Sequence, residues 1–435
     1  MFVSRSSLWV DFDCMNTDKT LVYLERSGSS PINLSLHAYS EGGLSPHNPF
    51  LQVVPHAISR LKSLDINGIP ETLQDITAHL SRPAPLLERL STRGGGHSNP
   101  QLHHVLPIAF LNGDLHSLRE LLLWSVRTEL PWRNMVNLTS FTLGRTLPDD
   151  IPMSRLLDFF EAAPHLRDVY LSAATPISGA QDGRLVSLAC LEKMRMSGNE
   201  PPSLLLDHLI IPVGAKLTTK TTSHGHQIDG HLPKSLDNLR NLSDFTWVLL
   251  CAKKYSPRMR FGGPNGQVSI TPMSAQSDTT RLVLESLARL DTSKTRWLRI
   301  HCGNSPSIIP PYRALLPMKD LRTLALSRCV SPDIFLHTLD PRMNSRGFVI
   351  CPKLEELVLI LRQNRETLNI QSVTSMAAAR ASRGAKLGSV RIVTHDKSMQ
   401  IHALELREHV SHVECGPGVG VADDDSDGCG EEYNY

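Results

Sequence analysis

Leu191-Glu-Lys-Met194-Arg-Met196-Ser-Gly-Asn199 and Leu321-Arg-Thr-Leu324-Ala-Leu326-Ser-Arg-Cys329 follow one plan: apolar-x-x-apolar-x-apolar, closed three residues later by Asn or Cys. Working outward from them, the same hexad stands at Leu61–Ile66, Leu118–Leu123, Leu138–Leu143, Leu166–Leu171, Leu242–Trp247, Leu354–Leu359 and Leu387–Ile392. Weaker copies begin at Leu87, where the pattern breaks after Leu90, and at Thr295. The first starts, 61, 87, 118, 138, 166 and 191, lie 20 to 31 residues apart. From 242 to 295 is 53 residues, read as two periods with Val268-Ser-Ile270 as the strand between, and a further strand expected near 217 is poorly formed. A period in the twenties with this hexad is the leucine-rich-repeat pattern.

The physics of the unit is direct. The last two apolar positions alternate and so share one side of a short strand. A single such strand cannot bury its apolar side, so neighbouring repeats must stack on it. Between hexads, 71–82 places Leu73, Ile76 and Leu80 on one helical face; 154–163 carries Leu156, Leu157, Phe159 and Phe160; 279–290 repeats the plan. Pro85, Pro164, Pro317 and Pro352 then stop each helix ahead of the next hexad. The expected fold is α/β: an irregular leucine-rich-repeat solenoid, with a curved parallel sheet on the concave side and helices and loops on the convex side. A doubly wound α/β sheet is the alternative. Residues 213–233 and 255–277 read as inserted loops, rich in Thr, His, Gly, Pro and Ser.

Composition restricts the function classes. There are 435 residues, with 45 Lys plus Arg against 43 Asp plus Glu, a net charge of +2. That balance argues against a nucleic-acid partner, which needs clustered cations. No run reaches the roughly 18 apolar residues of a spanning helix, and no secretory leader is evident, so no membrane partner is expected. Eight cysteines without CxxC spacing read as reduced thiols in a cytoplasmic or nuclear protein. The sequons at Asn33, Asn137 and Asn241 fall in apolar-alternating runs and read as accidental.

Sites of chemistry are sparse. Gly262-Gly-Pro-Asn-Gly266 lacks the strand-to-helix setting of a phosphate loop. His103-His104 and His224-Gly-His226 have no second ligand pair nearby. His301-Cys302 pairs imidazole with thiol, but adjacent strand residues point to opposite faces. No catalytic residue, cofactor or metal is expected. In the hexads, the x positions face away from the core: Glu120, Leu122 and Trp124; Asp168 and Tyr170; Lys193 and Arg195; Trp297, Arg299 and His301. Aromatic and Arg side chains anchor interfaces, which makes Trp124, Tyr170, Arg195, Trp297, Arg299 and His301 the candidate concave-face residues for a protein target.

The N-terminal run Ser6-Ser-Leu8-Trp9-Val-Asp-Phe12, a helix over 17–26, then Ser30-Pro-Ile-Asn-Leu-Ser-Leu36, followed by irregular repeats, resembles the F-box/leucine-rich-repeat proteins of mushroom-forming fungi. The resemblance implies a substrate receptor of a Skp–cullin–F-box ubiquitin ligase, with the F-box docking the Skp-type adaptor and the repeats holding the target. Only the end of an F-box could stand in residues 6–12, so adaptor docking is expected only if the missing part is restored. The expected organisation is 1–60, the F-box remnant leading into the repeats; 61–413, the solenoid; and 414–435, an acidic, Gly-rich disordered tail. The expected function is a non-catalytic scaffold. The alternatives are an α/β enzyme with His301 and a carboxylate in a pocket, or a fragment without function.

Overall fold

The computed structural model describes residues 9–13, 17–38, 49–94, 104–106, 111, 115–128, 135–145, 151–173, 183–221, 231–242, 244–251, 258–264, 266–271, 287, 290–301, 312–327, 332–343, 347–361, 368–396, 399 and 404–417. Of the helix expected over 279–290 all but Leu287 and Leu290 lie outside them, as does the acidic tail beyond 417. The protein is mixed α/β, with a large, mostly parallel sheet and no closed barrel. The chain divides into two compact units, 1–243 with 265–268, and 244–264 with 269–435.

The first unit holds β1 (Asp11–Asp13), β2 (Ile32–Ala38), β3 (Leu61–Gly68), β4 (Arg89–Gly94), β5 (His104–Leu106), β6 (Glu120–Trp124) and β7 (Val126–Thr128). After these come β8 (Ser140–Gly144), β9 (Asp168–Ser172), β10 (Val186–Ser187), β11 (Lys193–Gly198), β12 (Leu209–Ile210) and β13 (Lys216–Thr221). Its helices are α1 (Thr17–Arg26), α2 (Pro49–Ala57), α3 (Pro70–His79), α4 (Met153–Ala162) and α5 (Ser203–Leu206). Strands β1, β2, β3, β4, β6, β8, β9, β11 and β13 pair in that order, each parallel to the next. Two short parallel pairs, β5–β7 and β10–β12, form separate ladders.

Register follows the hexad. Leu64, Leu90, Leu121, Phe141, Val169, Met194 and Leu217 stand opposite one another in a row across the strands. All are buried, as are the hexad-opening Leu61, Leu87, Leu118, Leu138, Leu166 and Leu191. Each opening leucine from Leu87 to Leu191 closes a four-residue turn, its N–H donating to the carbonyl three residues back: Ala84, Leu115, Met135, Ala163 and Leu188. Pro85 and Pro164 sit second in those turns, the position where a fixed φ is preset for a type I or II turn. These prolines therefore build the entry to the strand as well as ending the helix. On the core side, Phe159 of α4 packs against Phe141 with ring centroids 4.4 Å apart, and Phe160 lies edge-on to Phe141 at 6.5 Å.

The second unit holds β14 (Trp247–Cys251), β15 (Arg258–Gly263), half of β16 (Gly266–Thr271), β17 (Trp297–His301), β18 (Thr323–Ser327), β19 (Glu356–Ile360), β20 (Ser389–Val393) and β21 (His412–Gly416). Its helices are α6 (Tyr312–Leu315), α7 (Asp333–Leu339) and α8 (Ile370–Ser382). From β14 through β17 to β21 the pairing is parallel, with Val248, Leu298, Leu324, Leu357, Val390 and Val413 in one row. β15 runs antiparallel on the other side of β14.

Four sequence expectations change. The hexad at 242 is shifted: Phe245, Val248 and Leu250 take the core positions and are buried, so Trp247 turns outward, in register with Trp297. Both readings satisfy the apolar spacing, and strand pairing decides between them. β14 pairs directly with β17, so no further strand separates them; Val268 and Ile270 belong to β16, which follows β15. The residues expected as a loop over 255–277 thus include two strands. Likewise 213–233 contains β13. This is the poorly formed strand expected near 217, whose hexad opens on Gly214 and ends on Thr219 in place of leucines.

Candidate functional site

Alternation along each strand sets one row of side chains into the core and leaves the next on the opposite face. On β6, Leu121 and Leu123 are buried while Glu120 is exposed and Leu122 and Trp124 are half-buried. On β9, Tyr170 stands between buried Val169 and Leu171. Across the intervening β8, the residue in register with Trp124 is Gly144. A Cβ there would fall 2.2 Å from Cε3 of the Trp124 ring. The missing side chain lets the indole lie across β8, bringing its ring to 6.4 Å from that of Tyr170, tilted at 37°.

Two arginines complete the group. The Arg145 guanidinium sits over the Trp124 ring at 5.8 Å from its centroid, and that of Arg195 over Tyr170 at 5.4 Å. Cation–π contacts of this kind contribute about 0.5–1 kcal/mol at exposed sites. A guanidinium over a ring can still donate N–H hydrogen bonds to an acceptor. Both arginines are exposed.

The backbone beneath is under strain. Ser125, Arg145 and Ala173, each the residue after its strand, have φ of 54°, 53° and 49°, a left-handed conformation costing roughly 1–2 kcal/mol for an L-residue. Each is held by its own N–H, which donates to the next strand: Ser125 to Gly144 O at 2.8 Å, Arg145 to Ser172 O at 2.6 Å and Ala173 to Ser197 O at 2.5 Å. Gly94 sits in the same line, where a Cβ would meet the Ser125 carbonyl oxygen at 2.4 Å. Three strained residues therefore follow one another along the strand ends that carry Trp124, Arg145 and Tyr170. Such strain gathers where geometry is held for function.

Of the six candidate residues, Trp124, Tyr170 and Arg195 come together in the first unit. Trp297, Arg299 and His301 lie on β17 in the second unit, all half-buried and alternating with buried Leu298 and Ile300. His301 Nδ1 lies 3.2 Å from Ser327 Oγ on the neighbouring strand. Cys302 lies outside the described residues, as do His103, His224 and His226. Sequence reasoning missed Arg145, because it follows the hexad rather than standing within it, and Trp247, because of the shifted register. A Gly in the outward position beside a Trp-bearing hexad was the available signal for the first.

The N-terminal motif forms a packing group of its own. Trp9 meets Tyr23 of α1 edge-on at 4.9 Å, with the Arg26 guanidinium 4.6 Å from the Trp9 ring centroid. Among the described residues no group of three or more His, Cys, Asp and Glu side chains is placed to hold a metal ion. Among them, too, no helix is long and apolar enough to cross a membrane. Compared with known proteins, the chain matches no family model and no curated protein.

Proposed function

We propose that the protein is a leucine-rich-repeat solenoid acting as a non-catalytic scaffold, which holds a protein target on the sheet face opposite the core. The observation that carries this reading is the Trp124–Tyr170 pair with an arginine over each ring, mounted on strained backbone at the ends of parallel strands. Aromatic and Arg side chains fixed on a rigid element are the groups that dominate binding energy in protein interfaces. The in-register row of hexad residues and the repeated turn before each hexad support the solenoid.

Position-specific crosslinking tests the scaffold. With a photoreactive phenylalanine analogue in place of Tyr170, ultraviolet light should join a discrete protein to the chain in its source cells. The same group at Leu185, an exposed position away from the cluster, should capture none. Equal capture at both positions would count against the reading.

The N-terminal resemblance favours a narrower version, in which the scaffold is the target arm of an F-box ubiquitin-ligase receptor. The test is co-purification with a Skp-type adaptor when a complete F-box is placed ahead of residue 1. Failure to associate removes the ligase assignment and leaves the scaffold standing.

A further inference from the structure

We infer that the Trp124–Tyr170 shelf receives an acidic, extended polypeptide segment, with Arg145 and Arg195 binding its carboxylates; this rests on the scaffold reading and names the partner's chemistry.

Charge distribution carries the inference. Across β4, β6, β8, β9, β11 and β13, consider the positions in register with Leu122, those in register with Trp124, and those immediately following. They hold four cations, Arg93, Arg145, Arg195 and Lys220, and no Asp or Glu. The chain as a whole is close to neutral, at +2, so this is a local concentration of one sign. Arg145 and Arg195 make no ion pair or side-chain hydrogen bond among the described residues; each lies over an aromatic ring instead. A guanidinium held this way offers a carboxylate two parallel N–H donors. On the adjoining row at the strand entries, Arg89 pairs with Glu120 at 3.5 Å.

The rings between the cations supply an apolar floor, so the segment should carry an apolar or aromatic residue beside its acids. Adjacent strands lie about 4.8 Å apart. From β6 to β11 is three such steps, about 14 Å, which an extended chain crosses in about five residues at 3.3 Å each. A nucleic acid fits less well. Along the row at the strand entries Glu120 and Asp168 stand between Arg89 and Lys193, so a continuous phosphate backbone would meet both signs there, whereas a peptide of mixed sequence can answer each.

The experiment uses the whole chain and a fluorescein-labelled peptide of about eight residues alternating Glu and Tyr, long enough to cross the patch, read by anisotropy. A Gln/Tyr peptide and an oligouridylate are the controls. The wild-type chain should bind the Glu/Tyr peptide at least about tenfold more tightly than the Gln/Tyr peptide. Arg145→Gln and Arg195→Gln, both surface changes, should each weaken it about tenfold, the effect of losing one charge-assisted hydrogen bond. Unchanged binding in both variants overturns the inference. So does equal binding of the two peptides; if Trp124→Phe then weakens both, the shelf remains a docking surface without preference for acid, and the scaffold reading survives. Tighter binding of oligouridylate, lost in the same two variants, would make phosphate the ligand and overturn the peptide. No binding of any probe also overturns it, leaving the crosslinking at position 170 to decide the scaffold separately.

Discussion

Trp124 keeps its place on the sheet because residue 144 has no side chain, and that dependence is measurable. Gly144→Ala puts a methyl into the indole's position and should cost about 1–3 kcal/mol, the usual range for overpacking. In a Trp124→Ala background the same change should cost nearly nothing, since the obstructed ring is gone. Urea unfolding of the four proteins in this cycle checks the coupling. A second residue-scale case lies in the other unit. Arg380 of α8 is fully buried without a carboxylate partner among the described residues, donating to the carbonyls of Ile350 and Cys351, each at 2.8 Å. Burial lowers its pKa to about 10. The neighbouring Cys351 thiol, pointing at Leu315 O at 3.5 Å, is pushed up to about 12 by burial. A thiol's ordinary value is 9.0, so above about pH 9 the unfolded chain releases a proton that the folded chain retains. This contribution to stability is complete below pH 9 and is lost as pH rises towards 12, by up to about 1.4 kcal/mol per pH unit. Early loss of the Arg380 proton opposes the trend above about pH 10. Between pH 9 and 10, then, wild type should lose roughly 1 kcal/mol more than Cys351→Ala, as read from their urea midpoints.

At the scale of elements, β13 shows how a strand survives a poor sequence pattern. Thr219 and Thr221 occupy core-facing positions and are fully buried. The His231 ring satisfies both hydroxyls, Thr219 Oγ1 at 3.0 Å from Nδ1 and Thr221 Oγ1 at 3.1 Å from Nε2. A buried polar group is tolerable when hydrogen-bonded, and costly when its partner is removed. Thr219→Val keeps shape and apolar character yet should destabilise by about 1–3 kcal/mol, because it deprives the buried imidazole of a partner. By contrast α4 buries an aromatic face, and Arg184 pairs with its Asp158 and Glu161 at 2.7 and 2.8 Å on the outer side. Phe159→Ala removes the ring stacked near Phe141 and should cost about 3–5 kcal/mol; thermal or urea unfolding measures either change. The two elements differ in legibility for the same reason. α4 carries its apolar residues at helical spacing and could be placed from sequence to within a residue, Met153–Ala162 against the expected 154–163. β13 spends two core positions on threonines whose burial makes sense only once His231 is beside them.

For the whole molecule, stability should follow the ladders. In each unit an interior strand is paired on both sides, while an end strand such as β1 is short and pairs with β2 alone among the described strands. Amide hydrogen exchange should therefore be slowest at Leu121, Val169 and Met194 in the first unit and at Leu324 and Leu357 in the second, and fastest among paired residues in Asp11–Asp13. Uniform protection across the strands would contradict a ladder of nearest-neighbour contacts.

The sequence by itself determined the repeating hexad, the turn before it, and the separation of core-facing from outward side chains. Each is local: alternation is a property of a single strand, and a proline or leucine at a fixed offset acts within a few residues. Tertiary structure alone decided which strands are neighbours. It paired β14 with β17 across an insertion that sequence spacing read as a further repeat, and so moved Trp247 from core to face. It also brought Arg145, Trp124, Tyr170 and Arg195 together over a glycine. Those residues are spread over four strands, and no local pattern links them, because which outward side chains meet depends on strand order and on the space a neighbour leaves free.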